Sequence, residues 1–441
     1  MINTIKSQKK LLEKLNIEKL NLMQEEAQVN IHSNAEVVLL SPTGTGKTLA
    51  FLLPIMAELR KESLGVQALI LVPSRELAIQ IEQVIREMGS GFKVNAVYGG
   101  RSIAKDKADL KHSPAILVGT PGRIADHIYR GTFDTDTVEN LILDEFDKSL
   151  EIGFETEMQE ILSALPNVKK KVLTSATFKV KIPAFVKLHN PKILNYLKVD
   201  TPELKLKIIR SPDKDKLETL GKLLHKLGNQ AGIVFCNFKD SIQDISEYLD
   251  EKEIAHACFY GGLEQNERER ALIKFRNSTH QLILATDLAA RGIDVPEIKF
   301  IIHFHLPMRL HEFTHRNGRT ARMHKSGTAY IIHNEEEYLP AFIEDMKLES
   351  VSVDELESET EAALSQWTTL FISGGRKDKI SKGDIAGLFF KQGKLTKDQL
   401  GLIELKNDCA FVAVKASKAD QLISLTNNTR LKKKKVRVRK L

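Results

Sequence analysis

The chain has 441 residues, of which 42% are hydrophobic, and a formal net charge of +7. This length suits about three domains of ordinary size, and the composition is that of globular cores rather than of a disordered chain. No apolar run approaches the roughly 20 residues of a membrane-spanning helix, and the first residues lack the apolar segment of a secretory signal. We therefore expect a cytoplasmic protein without a membrane partner.

Charge is distributed unevenly along the chain. Residues 367–441 contain 18 basic and 6 acidic residues, a net charge of +12, whereas the preceding residues contain 47 basic and 52 acidic ones, a net charge of −5. A basic terminal segment on a mildly acidic body favours a polyanionic partner, and charge alone leaves a solubilising tail as the alternative. The three cysteines lie far apart without the paired spacing of zinc ligands, so we expect reduced, structural thiols.

The first motif with evident chemistry is Ser41–Thr48, which follows the apolar run Val37–Leu40 and precedes a helix-like stretch. A strand, a glycine loop and a helix in this order are the context of a phosphate-binding loop, although the loop alone could be a chance match. Gly44 and Gly46 let backbone N–H groups face phosphate oxygens, and the side chain of Lys47 can reach the β- and γ-phosphates. The hydroxyl of the final threonine can bind Mg²⁺.

Short apolar runs alternate with helical stretches from residue 35 to about residue 196, which is the pattern of βαβ units around a parallel sheet. The predicted strands are Val37–Leu40, Ala68–Val72, Ala115–Val118, Leu141–Leu143 and Val172–Leu173. Polar residues follow several of these strands, where the working residues of such sheets lie. In one such group, the carboxylate of Asp144 can hold Mg²⁺ and that of Glu145 can orient an attacking water; a solvated acidic turn is the alternative.

We interpret the polar stretch near residues 199–212 as the junction to a second α/β series. Its predicted strands are Gly232–Cys236, Gln281–Thr286, Phe300–Phe304 and Ala329–Ile332. The sequence of this series has no second phosphate loop, so we expect one nucleotide to serve both domains. Arg316, Arg319 and Arg322 would share one face of a helix, where one or two could neutralise charge on the γ-phosphoryl group; a plain basic helix face is the alternative.

The remaining residues divide into a connector and a small domain. We interpret residues 346–366 as an acidic connector, within a stretch from residue 340 that we predict to be helical. From Trp367 the predicted elements follow the order β-α-β-β-α-β of an RNA recognition motif. Phe371 and Phe411 either belong to the core of this domain or stack on a base. The run Lys432–Lys435 is the better candidate for phosphate contacts.

In their order, these motifs resemble those of the DEAD-box RNA helicases of superfamily two, over roughly residues 15–340. The resemblance implies an α/β fold with two RecA-like parallel-sheet domains in tandem, at residues 1–200 and 207–345, followed by a small RRM-like α+β domain at 367–441. It implies ATP and Mg²⁺ as ligands and RNA as the partner of a monomer. The last domain is similar to the C-terminal RNA-binding domain of DbpA-type bacterial helicases, which implies ribosomal RNA, pre-ribosomal particles and large-subunit assembly.

The resemblance also assigns roles to individual residues. The residues expected to bind ATP are Gln24, Thr43, Gly44, Thr45, Gly46, Lys47, Thr48, Gly292 and Asp294. Mg²⁺ would be held by Thr48 and Asp144. The expected catalytic residues are Lys47, Glu145, Arg319 and Arg322. The residues expected to couple hydrolysis to RNA are Asp147, Ser175, Thr177, His315 and Arg316. The residues expected to bind RNA are Pro73, Arg75, Gly99, Gly100, Thr120, Gly122, Arg123, Gln265, Arg268, Thr286, Lys432, Lys433, Lys434 and Lys435.

The sequence departs from the family pattern at several positions. Ser41 stands where the loop usually begins with glycine, Phe146 replaces alanine in the acidic tetrad, and Asn317 replaces isoleucine beside Arg316. Because every charged catalytic position is filled, we predict an ATP-dependent RNA helicase that separates short duplexes locally. The alternatives are a non-catalytic RNA-binding clamp, in which Phe146 marks lost hydrolysis, and a DNA helicase.

Replacement of the phosphate-loop lysine tests the predicted nucleotide site. Lys47→Ala should abolish ATP turnover, because no other group in the loop can bring a positive charge to the β- and γ-phosphates. Phosphate release in the presence of saturating RNA measures this. Undiminished turnover in the variant would place the nucleotide site elsewhere.

Overall fold

The computed structural model describes residues 8–177, 182–197, 204–287, 298–320, 327–356 and 365–441. These residues fall into two compact units, one comprising residues up to 197 and the other comprising the described residues from 204 onward.

The first unit is built on a sheet of seven parallel strands. In chain order these are β1 (Glu36–Leu40), β2 (Ala68–Leu71), β3 (Val94–Val97), β4 (Ile116–Gly119), β5 (Asn140–Leu143), β6 (Lys170–Ser175) and β7 (Lys192–Asn195). Their order across the sheet is β3-β4-β2-β5-β6-β1-β7. Five of the seven lie at predicted runs, whereas β3 and β7 were not predicted, because each has only four residues and a polar side chain within it.

Helices cover both faces of this sheet. They are α1 (Gln8–Lys14), α2 (Leu22–Ser33), α3 (Lys47–Glu58), α4 (Arg75–Met88), α5 (Ile103–Leu110), α6 (Pro121–Tyr129), α7 (Phe146–Ile152) and α8 (Glu155–Ser163). Strand side chains alternate between two apolar cores. In β1, Val37 and Leu39 pack in the core that contains α2, α3 and α4, and Val38 and Leu40 pack in the core that contains α6 and α8.

The strand order determines which loops meet. Strand β6 lies between β1 and β5, with Leu40 of β1 paired to Ser175 and Leu143 of β5 paired to Leu173. All these strands are parallel, so their carboxyl ends lie at the same edge of the sheet. The phosphate-binding loop after β1 therefore comes close to the acidic pair after β5 and to the polar residues at the end of β6.

The second unit begins with another sheet of seven parallel strands. These are β8 (Leu204–Arg210), β9 (Gly232–Cys236), β10 (Ala257–Phe259), β11 (Leu282–Thr286), β12 (Phe300–His303), β13 (Gly327–His333) and β14 (Glu349–Val351). Their order across the sheet is β10-β11-β9-β12-β13-β8-β14. The described helices that accompany it are α9 (Leu217–Leu227), α10 (Lys239–Glu251), α11 (Gln265–Arg276), α12 (Leu310–Asn317) and α13 (Ala341–Glu344).

Two predictions about the edges of this sheet are wrong. The stretch interpreted as a junction contains β8, which pairs with β13 over seven residues from Leu204 to Arg210. Its lysines at 205 and 207 alternate with apolar residues, and their charge hid the strand pattern. The stretch predicted to be helical from residue 340 has only the short helix α13, followed by β14, which adds to the sheet beside β8. Part of the expected connector therefore belongs to this sheet.

The terminal residues form the expected small domain. Its four-stranded antiparallel sheet has the order β16-β17-β15-β20, formed by β15 (Trp367–Ile372), β16 (Leu400–Leu405), β17 (Ala410–Lys415) and β20 (Val438–Lys440). A separate hairpin consists of β18 (Arg430–Leu431) and β19 (Lys434–Lys435), and the helices are α14 (Lys382–Lys391) and α15 (Ala419–Thr426). Leu370 and Ile372 share one core with residues of both helices. The predicted fold class, two parallel-sheet domains followed by an RRM-like domain, is confirmed.

The other face of the terminal sheet packs against α11 and the turn after it. Arg276 donates two hydrogen bonds to the carboxylate of Glu404, with Nε–Oε1 and Nη2–Oε2 distances of 2.7 and 2.8 Å. The amide of Asn277 donates to Thr369 Oγ1 at 3.1 Å, and both side chains are buried. Phe411 on this face is also buried, whereas its cross-strand partner Phe371 is half-buried. The ring of Phe411 lies edge-on to that of Phe371, over which the guanidinium of Arg439 lies 4.9 Å from the centroid.

A buried histidine in the second unit gives a pH-dependent contribution to stability. His303 ends β12; its Nε2 donates to Asn317 Oδ1 at 3.0 Å, and its ring stacks on Phe313 with centroids 4.6 Å apart. Complete burial, together with the nearby charge of Arg316, lowers the pKa of His303 to about 3. Below its ordinary pKa the imidazole takes up a proton only in the unfolded chain, so acid favours unfolding.

This histidine should make the wild-type chain less stable at pH 5 than at pH 7. Its contribution to the loss should be about 2 kcal/mol, fully absent above the ordinary histidine pKa and growing as the pH falls towards 3. His303→Gln removes the titrating ring. Between pH 7 and pH 5, the free energy of unfolding of this variant should therefore fall by about 2 kcal/mol less than that of the wild-type chain. Urea unfolding followed by the fluorescence of Trp367, which lies in the same unit, measures this. An unchanged pH dependence in His303→Gln would contradict this assignment.

Candidate active site

The phosphate-binding loop has the backbone that a bound phosphate requires. Gly44 and Gly46 have φ angles of +85° and +87°, which residues with a Cβ rarely adopt, and α3 begins directly at Lys47. The ammonium group of Lys47 donates to the carbonyl oxygens of Ser41 and Pro42 at 2.7 and 2.9 Å. The loop thus holds its own lysine where the phosphates would be bound. Burial lowers the pKa of Lys47 to about 8, against the opposing effect of Glu145 and Asp144.

Hydrogen bonds from the start of α2 secure this loop. Asn21 and Gln24 form a capping box, in which each side chain accepts from the backbone N–H of the other. The same side chains donate to the loop, Asn21 Nδ2 to Thr45 O at 3.0 Å and Gln24 Nε2 to Gly46 O at 3.2 Å. The sequence analysis missed Asn21, although an asparagine three residues before a glutamine is a recognisable capping pattern.

Two departures from the family pattern have a structural explanation in this unit. The hydroxyl of Ser41 lies 2.8 Å from that of Thr45, which itself donates to Pro42 O at 2.9 Å, so the serine closes the loop internally. The ring of Phe146 is buried in the apolar core that contains α6 and α8. The added ring therefore fills the core and leaves the flanking carboxylates in place.

The acidic pair after β5 is held by a threonine on β6. Thr174 Oγ1 donates to Asp144 Oδ1 and accepts from the backbone N–H of Glu145 at 3.1 Å. Glu145 has a φ of +48°, and its carboxylate oxygen Oε2 lies 3.0 Å from Lys148 Nζ. Burial, followed by the charge of Glu145, raises the pKa of Asp144 to about 6. Neither Thr174 nor Lys148 was predicted, and nothing in the sequence distinguishes them from other strand and helix residues.

These oxygen donors fit a magnesium ion. Mg²⁺ prefers hard oxygen ligands, and the loop offers the hydroxyl of Thr48 while β5 offers the buried carboxylate of Asp144. The carboxylates of Asp144 and Glu145 are adjacent and buried, so a cation would offset the repulsion that raises the pKa of Asp144.

The predicted coupling residues of this unit form a hydrogen-bonded group. Ser175 Oγ and Thr177 Oγ1 both donate to Asp147 Oδ2, at 2.8 and 3.0 Å. Thr177 N also donates to Ser175 Oγ at 2.9 Å. Asp147 is buried. The last residue of the acidic tetrad is thus linked to the loop after β6, which can transmit a change at one motif to the other.

The predicted RNA-binding residues of the first unit surround two guanidinium groups. Arg75 begins α4, and a Cβ added to Gly100 would lie 2.6 Å from its Nη1, so the glycine doublet makes room for this side chain. Arg123 on α6 donates to Arg101 O at 2.6 Å and to Asp106 Oδ2 at 3.2 Å. Pro73 precedes α4, and Thr120 and Gly122 lie at the start of α6.

A buried carboxylate that the sequence analysis missed holds the second of these arginines. Asp106 on α5 is fully buried, and its carboxylate contacts Arg101 Nε at 2.9 Å as well as Arg123. His127 Nε2 lies 3.3 Å from the same carboxylate. Without the fold, a lone aspartate in an exposed-looking helix gave no signal.

In the second unit, the buried side chain of Arg316 forms hydrogen bonds with residues that follow several strands. Its Nε and Nη2 donate to the carboxylate of Asp287 at 2.6 and 2.5 Å, Nη2 also donates to Asn237 Oδ1, and Nη1 donates to His305 O. Only 1% of Arg316 is exposed. It therefore joins the ends of β9, β11 and β12. Asn237 and Asp287 were not predicted.

The shared face of the three arginines depended on a continuous helix, and among the described residues the helix does not reach Arg319. Helix α12 ends at Asn317, because Gly318 caps it, and Arg319 follows in a turn in which its N–H donates to Arg316 O at 3.1 Å. Arg319 is buried, and His315 lies half-buried on α12. Gly292, Asp294 and Arg322 lie outside the described residues.

The other predicted RNA-binding residues of this unit lie at three places. Gln265 begins α11, and the guanidinium of Arg268 lies over the ring of Phe259, 4.8 Å from its centroid. Thr286 ends β11. The lysine run forms the terminal hairpin. Lys432 pairs with Asp384 at 3.0 Å and Lys434 with Asp378 at 2.9 Å; the residues at 432, 433 and 435 are exposed, and Lys434 is half-buried.

Three family models match the chain in the expected order. Residues 21–185 match the DEAD/DEAH box helicase model, residues 215–324 the helicase conserved C-terminal domain, and residues 369–440 the DbpA RNA binding domain. The ATP-dependent RNA helicase DbpA of Bacillus subtilis (strain 168) is 30% identical over 439 residues, which cover 92% of this chain and 91% of that protein. The chain belongs to the DEAD-box RNA helicases. The helicase of the same name from Escherichia coli (strain K12) is 30% identical over 428 residues, covering 95% and 94%.

The DEAD-box helicase also resembles solved structures of this family. The structure described as S. cerevisiae Dbp5 bound to RNA and ADP BeF3 has a TM-score of 0.68 and 26% identity, and covers 78% of this chain and 94% of that one. The protein is thus an RNA-dependent ATPase and RNA helicase with a DbpA-type terminal domain. This confirms the predicted enzyme class. Among the described residues of the helicase, no helix is long and apolar enough to cross a membrane.

The hydroxyl of Thr174 should matter for hydrolysis by this helicase. Thr174→Val keeps the shape but removes the group that holds both Asp144 and the backbone of Glu145, so we expect kcat for ATP to fall about tenfold, as for loss of a hydrogen bond to a charged group. Steady-state phosphate release with saturating RNA measures this. Thr174→Ser, which keeps the hydroxyl, is the matched control. Unchanged kcat in Thr174→Val would mean that the hydroxyl is not required, and an equal loss in Thr174→Ser would mean that the hydroxyl alone does not account for the effect.

Proposed function

We propose that this helicase remodels ribosomal RNA during assembly of the large ribosomal subunit. The observation that carries the proposal is the terminal domain, which matches the DbpA RNA binding domain and holds a net charge of +12 within residues 367–441. Two relatives that span most of the chain are named ATP-dependent RNA helicase DbpA. A structured RNA captured by this domain would be presented to the helicase, which then separates short duplexes near it.

The residues described above suit the steps of ATP hydrolysis. We propose that the loop glycines, Lys47 and Thr48 bind the phosphates, and that Mg²⁺ on Thr48 and Asp144 supplies positive charge to the phosphoryl oxygens. Glu145 would orient the attacking water, and Arg319 and Arg322 would stabilise charge in the transition state. Asp147, Ser175 and Thr177 would link this chemistry to RNA binding, since they form one hydrogen-bonded group.

On the RNA side, we propose that Arg75 and Arg123 hold the phosphate backbone of one strand. The support is geometric: the glycine doublet makes room for one guanidinium, and a buried carboxylate orients the other. Thr286, Gln265 and Arg268 are the proposed contacts of the second unit. A strand held in a bent shape cannot remain paired, which would separate a short duplex without long translocation.

We propose that two lysines of the terminal hairpin make its main contacts with RNA phosphates, with the two ion-paired lysines as further candidates. Lys432 and Lys434 are in ion pairs with Asp384 and Asp378, which fix the hairpin on its domain. The exposed Lys433 and Lys435 are therefore the proposed phosphate contacts. The net charge of the run, read from sequence, made all four equal candidates.

ATP hydrolysis stimulated by different RNAs tests the proposed target. The full chain should be stimulated more by large-subunit ribosomal RNA than by an equal mass of unrelated structured RNA or homopolymer. Lys433→Gln/Lys435→Gln should weaken binding of ribosomal RNA and reduce the slope of log affinity against log salt by about 2, one for each lost phosphate contact.

A matched charge change elsewhere in the same domain is the control. Lys391→Gln/Lys397→Gln removes two exposed lysines outside the hairpin and should keep both the preference and the salt slope. Equal stimulation of the wild-type chain by every RNA would overturn the ribosomal assignment. An equal effect of both double variants would mean that the domain binds RNA through its general positive charge rather than through the hairpin.

A further inference from the structure

The active site contains a fully buried ammonium group that the proposed mechanism has not used. Lys148 lies in the first turn of α7, and none of its side chain is exposed. Its Nζ lies 3.0 Å from Oε2 of Glu145, whose side chain is 10% exposed. A buried charge is unfavourable unless it is paired and hydrogen-bonded, so this lysine depends on the carboxylate beside it.

The pair belongs to a group of five charges in one buried region. Lys47 is influenced electrostatically by Glu145, Asp144, Lys148 and Asp147. Two ammonium groups thus face three carboxylates in the neighbourhood of the phosphate-binding loop. Of the two, Lys47 donates to carbonyl oxygens of the loop, whereas Lys148 donates to the carboxylate proposed to orient water.

The backbone of Glu145 is held in place, so its carboxylate can move only by rotation about the side-chain torsions. Its φ of +48° is unusual for a residue with a Cβ, and its N–H is bound to Thr174 Oγ1. The remaining question is where the carboxylate points. A contact through Oε2 to a group that is itself packed in the core sets this direction, and with it the direction of the lone pairs that a water molecule would meet.

We propose that Lys148 is a positioning residue for ATP hydrolysis, because its buried ammonium holds the carboxylate of Glu145 in the orientation that the attacking water requires. The inference rests on the proposed role of Glu145. It does not depend on which RNA the helicase recognises. An ion pair that only stabilises α7 is the competing explanation, and it predicts effects on folding rather than on turnover.

Lys148→Met removes the ammonium with little change in volume. We expect kcat for ATP to fall about 30-fold with less than a threefold change in KM, as for an interaction that acts only in the chemical step. Binding of a fluorescent ADP analogue, which needs no hydrolysis, should be unchanged. Lys170→Met is the matched control: Lys170 is also buried and paired, with Glu58, but lies away from the loop. It should lower thermal stability and leave kcat within threefold.

A double-mutant cycle with Glu145→Gln separates positioning from stability. Glu145→Gln should barely hydrolyse ATP, and adding Lys148→Met to it should cause no further loss in single-turnover rate, because no carboxylate remains to be oriented. This double variant leaves neither charge unpaired, so it remains measurable even if Lys148→Met alone folds poorly. All rates are measured with saturating homopolymer RNA. Each rate is then divided by the folded fraction of that variant, which thermal unfolding gives.

The outcomes of the cycle distinguish a positioning role of Lys148 from a structural ion pair. Loss of kcat in the wild-type background only supports the positioning role. An equal fractional loss in both backgrounds, or a loss that follows the folded fraction, overturns it in favour of a structural ion pair. Unchanged kcat in Lys148→Met also overturns it. Normal turnover by Glu145→Gln would instead refute the role of Glu145, and a missing preference for ribosomal RNA would refute only the proposed target.

Discussion

The position of β6 between β1 and β5 is the constraint on which the active site depends. It places the end of a strand that carries Thr174 and Ser175 between the phosphate-binding loop and the acidic tetrad. Thr174 then bonds to Asp144 and Glu145, and Ser175 bonds to Asp147. A threonine and a serine in consecutive positions thus hold three of the four residues that follow β5. With a different strand order, the same motifs would lie at the same sheet edge without touching.

Buried charges in the two units work in different ways. Around the phosphate-binding loop, carboxylates outnumber ammonium groups, and the unbalanced charge suits a site that receives Mg²⁺ with its nucleotide. In the second unit, Arg316 and Asp287 neutralise each other. The guanidinium of Arg316 also donates hydrogen bonds to Asn237 and to His305 O, which follow two other strands. That pair is satisfied within its own unit and fixes the ends of three strands. The charges around the phosphate-binding loop therefore suit the binding of a ligand, whereas the pair of Arg316 and Asp287 serves to hold strand ends together.

The terminal domain illustrates how a fold can keep its order of elements and change the use of a surface. Part of the sheet face away from α14 and α15 is in contact with α11 and the turn after it, through Arg276 with Glu404 and Asn277 with Thr369. Side chains that would otherwise be open to a nucleic acid base are therefore in contact with protein. The hairpin that carries Lys433 and Lys435 remains exposed.

Strand periodicity, glycine spacing and charge are local properties, so the sequence alone was enough to predict the fold class, the nucleotide loop, the acidic tetrad and the basic tail. It misplaced β8 and β14, whose charged or short segments hide the period of a strand. Only the tertiary structure decided that Asn317 meets His303, that Ser41 closes its loop on Thr45, and that Asp106 and Lys148 are buried beside working residues. Each of these depends on strand order and helix packing, which bring together residues whose own neighbours in sequence carry no sign of the contact.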